Sequence, residues 1–494
     1  MRSDKLIEAR EYEIENESRI ASGERPLFHL TPRVGWLNDP NGFSYYDGKY
    51  HLFYQYYPYD SHWGPMHWGH VVSEDLLHWE YLPAAMAPDE DYDNAGVFSG
   101  SAITLPDGRH LLIYTGVIME DDKEVQRQCV AVGDGIEYKK YEHNPVLDEK
   151  DIPEGSSRND FRDPKIWQNK DGTYSCAVGS RPADGSGQIL LYNSPDGFKW
   201  SFKSILCANN DRYGKMWECP DFFELDGEHV LLVSPQDMLP QGFEYHNGNG
   251  TVCFIGSYDE QMGKFLEEHN QAIDYGLDFY APQTVLTPDG RRVMIGWMQN
   301  WDTCNLHKPT ESWQGQMSLP RELSIKNGRL YQQPIRELLS LRTDEVRYQD
   351  VVFSDTLKLT GIKGRKIDME LEIRPINENE VYNQFIIFFA QNEQYHTSLG
   401  FRPKESILKI DRKFSGSRRA IIHQRRSLIN HENGKIKLRM ILDRFSVEVF
   451  VNDGEQVLSA TIFTDQSADG ITFLADGKVA MDVVKYDLVS QKES

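Results

Sequence analysis

Residues 36–57 read WLNDPNGFSYYDGKYHLFYQYY: a strand-like run, an Asp-Gly turn at Asp47-Gly48, and a second, aromatic-rich run. Asp-Gly between two such runs is a strong hairpin signal, because a tight two-residue turn asks both central residues for positive φ. The unit recurs four more times. Asp107-Gly108 precedes RHLLIYTG, Asp171-Gly172 precedes TYSCAVGS, Asp226-Gly227 precedes EHVLLVSP and Asp289-Gly290 precedes RRVMIGWM, at spacings of 60, 64, 55 and 63 residues. An all-β repeat of roughly 60 residues is a propeller blade of about four strands. Five repeats predict a five-bladed β-propeller running from about Pro26 to about Pro334.

Eight residues before the five turns stand Asp39, Ser99, Asp163, Glu218 and Ala281. Three of the five are carboxylates, in the motifs WLNDPNG, FRDPK and WECPD. A single acid ahead of a hairpin is ordinarily a solvated turn residue. Three in one register, each among aromatic residues or prolines, are different. Matching positions on pseudo-symmetric blades approach a common axis, so the three acids are expected to converge at one mouth of the central channel.

The chain has 494 residues, with 76 acidic against 53 basic side chains, a net charge of -23 and a pI near 5.1. That balance argues against a nucleic-acid partner, which needs a basic face. Aromatic residues make up 12%, with ten Trp and 25 Tyr, and sugar rings stack on such faces. The six cysteines are scattered without a CxxC pair, so neither a disulfide framework nor a zinc site is expected. His62, His67, His70 and His78 have no metal-ligand spacing and read as packing and hydrogen-bonding residues. No metal and no cofactor are expected. Residues 3–20 predict a charged helix capped by Ser3, with no apolar signal core, and no 18-residue apolar run offers a membrane span. The expected compartment is the cytoplasm.

The repeat ends after MSLPREL. QQPIRELLSLR is expected to cross to a second unit, in which KIKLRMILD and FSVEVFVND alternate with period two. The predicted organisation is an N-terminal helical extension (1–25), the propeller (26–334), a linker (335–345) and a β-sandwich (346–494). The sandwich has no acid triad and is expected to support the propeller, with LRMILDRFSVEVFVNDG as central strands against it.

Glycoside cleavage takes two carboxyl groups, one ionised to attack and one protonated to assist departure. Asp39, flanked by Asn38 and Asn41, suits the first. Glu218, between Trp217 and Cys219-Pro220, suits the second if an apolar shell raises its pKa. Asp163 follows Arg162, whose charge is expected to keep it ionised. Lys165 and Asp221 read as solvated turn residues or supports for the triad.

At these motifs the chain resembles the invertase and levanase group, glycoside hydrolase family 32. WLNDPNG, FYQYYPYDSHWGPMHWGH, FSGSA, FRDP, WECPD, MSLPREL and DRFSVEVFVNDG all look like family motifs in family order, and they span nearly the whole chain. The resemblance implies a propeller plus sandwich and a retaining mechanism on terminal β-fructofuranosyl groups. It implies Asp39 as nucleophile, Asp163 as transition-state stabiliser and Glu218 as acid/base. It further implies a fructose subsite of Trp36, Leu37, Asn38, Gln55, Trp63, Phe98, Ser99, Arg162 and Trp297. Gln55 and Trp297 each stand eight residues after their Asp-Gly turns, which independently places them near the axis. Within the family the chain looks most like intracellular bacterial sucrose-6-phosphate hydrolases, so its partner is expected to be sucrose, sucrose 6-phosphate or a short fructooligosaccharide. The other readings are a fructosyltransferase on the same fold, an inverting five-bladed arabinan or xylan hydrolase, and a sugar-binding propeller without catalysis. His307-Lys308 reads as a solvated loop that could also meet a phosphate.

Overall fold

The computed structural model describes residues 2–182, 185–304, 312–377, 380–416 and 422–489. His307-Lys308 lies outside the described residues. Five sheets each hold four antiparallel strands in chain order, and the first is extended by a fifth, parallel strand. Each antiparallel run begins with its axial strand: Gly35–Tyr46, Gly96–Thr104, Ser156–Gln168, Met216–Leu225 and Tyr280–Leu286. These are the five blades. The ring closes where Trp313–Gln314 pairs in parallel with Gly35 and Trp36 of the first axial strand. Gly315, at φ +92°, follows at once; a Cβ there would lie 2.0 Å from the Leu37 carbonyl oxygen, so only glycine permits the approach.

All five Asp-Gly pairs are hairpins, but not of one type. Asp47-Gly48 and Asp226-Gly227 are two-residue turns with both residues at positive φ. The other three are five-residue connections in which the glycine alone is left-handed. In Leu105–Arg109, for example, Gly108 N–H bonds Leu105 O at 2.9 Å and Leu105 N–H bonds Arg109 O at 2.8 Å. Proline at 106 fits the first corner of such a turn.

Every axial strand also carries a β-bulge, near its start in four blades and midway along Ser156–Gln168 in the third. The ladder skips between Leu37 and Pro40, Phe98 and Gly100, Arg162 and Lys165, Glu218 and Asp221, and Tyr280 and Gln283. Proline follows the bulged residue in four of the five (Pro40, Pro164, Pro220, Pro282), where the inner edge of the sheet needs no N–H.

The helix Asp4–Glu17 starts at Ser3, whose hydroxyl accepts the Leu6 N–H. It packs against the first blade through buried Arg10 and Glu13, which bond the carbonyl and N–H of Ala84.

The second unit is a ten-stranded sheet curled into a sandwich. Its last strand, Gly470–Leu488, serves both layers: residues 470–476 pair with Gln384–Gln391 and 479–487 pair with Ile367–Pro375. Ile436–Asp443 and Ser446–Val451 are neighbouring strands, and Ile441, Phe450 and Val457 share one apolar cluster with Trp36, Trp297 and Leu319 of the propeller. At this junction Glu448 accepts hydrogen bonds from Leu319 N–H (2.7 Å) and Arg321 (2.6 and 2.9 Å), and lies 2.9 Å from His29 Nε2.

Candidate active site

The bulges aim side chains at the axis. Their residues are Asp39, Ser99, Asp163, Cys219 and Ala281. Glu218 is therefore not the counterpart of Asp39 and Asp163, as the count of eight had it; Cys219 is. The first and fourth blades share a two-residue hairpin. The first axial strand, however, carries a second irregularity, between Asn41 and Ser44, that the fourth lacks, so the same count falls one residue before the bulge in the fourth. Glu218 precedes its bulge, pairs with Ser234, and is level with Arg162 and Tyr280 on the neighbouring blades.

Two layers result. In the deeper one, Asp39 Oδ2 accepts the Ser99 hydroxyl at 2.8 Å and Asp39 Oδ1 accepts Asn38 Nδ2 at 3.1 Å. Cys219 Sγ sits 3.4 Å from Asp39 Oδ2 and 3.5 Å from Asp163 Oδ2, and Cys219 N–H donates to Asp163 Oδ2 at 2.9 Å. Asp163 N–H donates to Thr115 Oγ1. In the outer layer, Glu218 Oε1 accepts Arg162 Nε at 2.9 Å, and Glu218 Oε2 accepts Gln236 Nε2 at 2.8 Å. The Tyr280 hydroxyl lies 2.7 Å from Glu218 Oε2 and 2.9 Å from the Ser234 carbonyl.

The expected apolar shell around Glu218 is absent. Successive strand residues face opposite ways, so Trp217 points into the core between blades while Glu218 meets three polar partners. The expectation that Arg162 keeps Asp163 ionised is also overturned. Burial and the charge of Glu218 push the Asp163 carboxyl upward, and Arg162, whose Nε is turned to Glu218, only partly opposes this. Asp39 is pushed up to about 6 by burial and by Glu218, against hydrogen bonds from Ser99, Asn38 and Cys219. Burial works against the Arg162 charge, yet Glu218, Asp163 and Asp160 around it hold its guanidinium protonated. Interacting carboxyls of this kind titrate as a unit.

A cavity of about 340 Å³ opens over these groups. Asn38, Gln55, Trp63, Phe98, Ser99 and Arg162 line it with the three carboxylates. Gln55 Nε2 is anchored on the Val97 carbonyl at 3.1 Å, and half-exposed Trp63 meets Phe98 edge-on. Trp36, Leu37 and Trp297 are not on the surface of the cavity. They are buried behind it, where Trp36 Nε1 orients Asn38 Oδ1 at 2.8 Å and Trp297 packs on Trp36 and Trp301. Sequence reasoning missed Glu124, Gln126, Asn159, Asp160, Gln236 and Trp301 on the wall, and Tyr280 beneath it. Asp160 alone had a signal, two residues before Arg162.

Lys165 and Asp221 are not solvated turn residues. Asp221 is fully buried and its Oδ2 bonds Lys165 Nζ at 3.0 Å. His67 and His70 are buried too; His70 Nε2 contacts His51 Nδ1 at 3.0 Å and His67 Nδ1 bonds the Pro65 carbonyl. Among the described residues no group of three or more His, Cys, Asp or Glu side chains could hold a metal, and no helix is long and apolar enough to cross a membrane.

The chain matches the glycosyl hydrolases family 32 N-terminal domain over residues 29–334 and the family 32 C-terminal domain over 337–490. An Escherichia coli protein named sucrose-6-phosphate hydrolase is 36% identical over 476 residues, which cover 92% of this chain and 93% of that one. The structure of a Bombyx mori β-fructofuranosidase variant in complex with sucrose is 35% identical, covers 99% of both chains and superposes with a TM-score of 0.84. That of the sucrose-6-phosphate hydrolase from Lactobacillus gasseri is 30% identical, with a TM-score of 0.86 and coverage of 97% of this chain and 96% of the other. The chain thus belongs to glycosyl hydrolase family 32 and is a glycosidase.

Proposed function

We propose that this enzyme releases terminal β-D-fructofuranosyl units from sucrose, sucrose 6-phosphate or short fructooligosaccharides, with retention of configuration. The class, β-fructofuranosidase, follows from the family and its relatives. The observation that carries the mechanism is the two-layer arrangement: Asp39 deep on the axis, Glu218 one layer outward on the adjoining wall.

Glu218 donates its proton to the glycosidic oxygen while an Asp39 oxygen attacks the anomeric carbon. The glycosidic bond breaks and a fructosyl ester forms on Asp39. Glu218 then takes a proton from water, whose oxygen attacks the anomeric carbon from the face vacated by the leaving group and displaces Asp39 from the opposite face. Tyr280 serves both states of Glu218: its hydroxyl donates to the carboxylate, or donates to the Ser234 carbonyl and accepts from the acid. Asp163, whose ionised form is favoured by Arg162 and no longer opposed by Glu218 once Glu218 carries its proton, balances positive charge developing on the ring. Asn38, Gln55, Ser99 and Arg162 hold the sugar from the cavity wall, and the residues of 346–494 support the propeller. The six free, buried thiols accord with a cytoplasmic setting.

Proton NMR of sucrose cleavage, read before mutarotation, tests this. β-Fructofuranose should appear first; the α-anomer first would require an inverting mechanism and overturn the role of Asp39 as nucleophile.

A further inference from the structure

The propeller holds a second cavity, larger than the one over the carboxylates. It measures about 990 Å³ and lies at the other end of the channel, among the hairpin ends of the axial strands (Phe43–Tyr45, Ala102–Thr104, Phe222–Glu224, Thr284–Leu286). Arg292 lines it with its guanidinium 4.7 Å above the Phe223 ring. No carboxylate comes within 4 Å of that guanidinium among the described residues. Its Nε is buried without a hydrogen-bond partner, and so is Thr284 Oγ1 on the same wall. Lys165, also on this wall, takes up the nearby carboxylate, Asp221, at 3.0 Å. Two part-buried cations thus share one acid, and Asp221 is further engaged by Thr284 N–H at 2.6 Å. Lys170 and Lys203 stand further out, opposite the exposed carboxylates of Asp171, Glu224 and Glu260.

A part-buried guanidinium with no carboxylate of its own in contact is incompletely compensated, and the fork of donors it presents matches phosphoryl oxygens. The volume suits a small organic anion rather than a halide. We propose that this far mouth of the channel is a binding site for a small phosphoryl-bearing molecule, inorganic phosphate or a hexose phosphate, held by Arg292, Lys165 and the Thr284 hydroxyl. The site is separate from the catalytic pocket and does not depend on the assignment of the three carboxylates.

Calorimetric titration of the whole enzyme with inorganic phosphate and, separately, glucose 6-phosphate tests it, in the wild type and in Arg292→Gln. One or both should bind saturably, and the variant should bind at least about tenfold more weakly. A tighter glucose 6-phosphate would identify the sugar phosphate as the natural occupant; equal affinities would show that the phosphoryl group alone is read. Should Arg292→Gln not fold, phenylglyoxal labelling of the wild type gives the same answer, because phosphate should slow modification of Arg292. No saturable binding by either anion up to about 10 mM, affinity unchanged in Arg292→Gln, or protection of Arg162 in place of Arg292 would each overturn the proposal.

Discussion

Arg162 and Glu218 meet across the seam between the third and fourth blades, Nε to Oε1 at 2.9 Å, with the remaining face of the guanidinium bonded to Asp160 and Gln126 at 3.2 Å. One cation therefore sets the position of Glu218, the proposed proton donor, from the neighbouring blade. Arg162→Lys keeps a charge but not the planar fork, so kcat on sucrose should fall by roughly 10²–10³-fold. Steady-state kinetics checks this, and a kcat within a factor of three of wild type would remove Arg162 from that role.

Tyr280 should separate positioning from binding. Tyr280→Phe deletes the hydroxyl shared by Glu218 and the Ser234 carbonyl while leaving the ring packed against Trp297. One hydrogen bond to a charged group corresponds to a fall of roughly ten- to hundredfold in kcat. KM should change little, since Tyr280 lies beneath the cavity wall.

The acid side of the activity profile should report Asp39. Its carboxyl is raised to about 6 by burial and the nearby Glu218, and in the proposed mechanism only the ionised form attacks. Below pH 6 kcat/KM should therefore fall about tenfold per unit as Asp39 takes up a proton. Glu218→Gln should abolish the alkaline limb in whatever activity remains on a fructosyl donor with an activated leaving group. An alkaline limb unchanged in that variant would return the acid role to Asp163.

Stability should fall on the alkaline side because of His29. Burial works against its charge, yet Asp443 at Nδ1 and Glu448 at Nε2, both at 2.9 Å, hold its pKa at about 9 against an ordinary 6.5. A pKa raised on folding gives stability that is complete below about pH 6.5 and is lost as pH climbs through about 9, here on the order of 3 kcal/mol. Burial tends to raise Asp443 and Glu448, but hydrogen bonds and neighbouring charges, His29 for the first and Arg321 foremost for the second, leave both below their ordinary values. Their share is lost on the opposite, acidic side. Melting temperatures of wild type and His29→Gln should differ widely at pH 6 and converge toward pH 9.5.

The propeller was legible because glycine's left-handed backbone is demanded at the same point of each blade, leaving five Asp-Gly marks in the sequence. The motif acids were legible for the same reason. Their layering was not, since it depends on bulges that slip the ladder by one residue. The prolines at 40, 164, 220 and 282 were the trace of those bulges, and reading them would have placed Cys219 in register with Asp39 and Asp163. Gln236 and Tyr280 could not be found by spacing, because one comes from a neighbouring strand and the other from the next blade. Trp36 and Trp297 are placed at the sugar by the family resemblance, and the spacing that puts Trp297 near the axis does not say whether its side chain faces the cavity or the core behind it.

Glu448 has a consequence for how this protein is made. The side chain that joins His29, at the start of the ring, to Arg321, in its last blade, arrives 127 residues after Arg321. At roughly 5–20 residues per second of translation, a nascent chain spends on the order of ten seconds with all five blades synthesised and that junction empty. For this interval the buried Arg321 has Asp274 and Gln332 for company and the imidazole of His29 has no acid at all. The ring can close on its own strands through Trp313 and Gln314, but the charged junction behind it is completed only once the sandwich has been made.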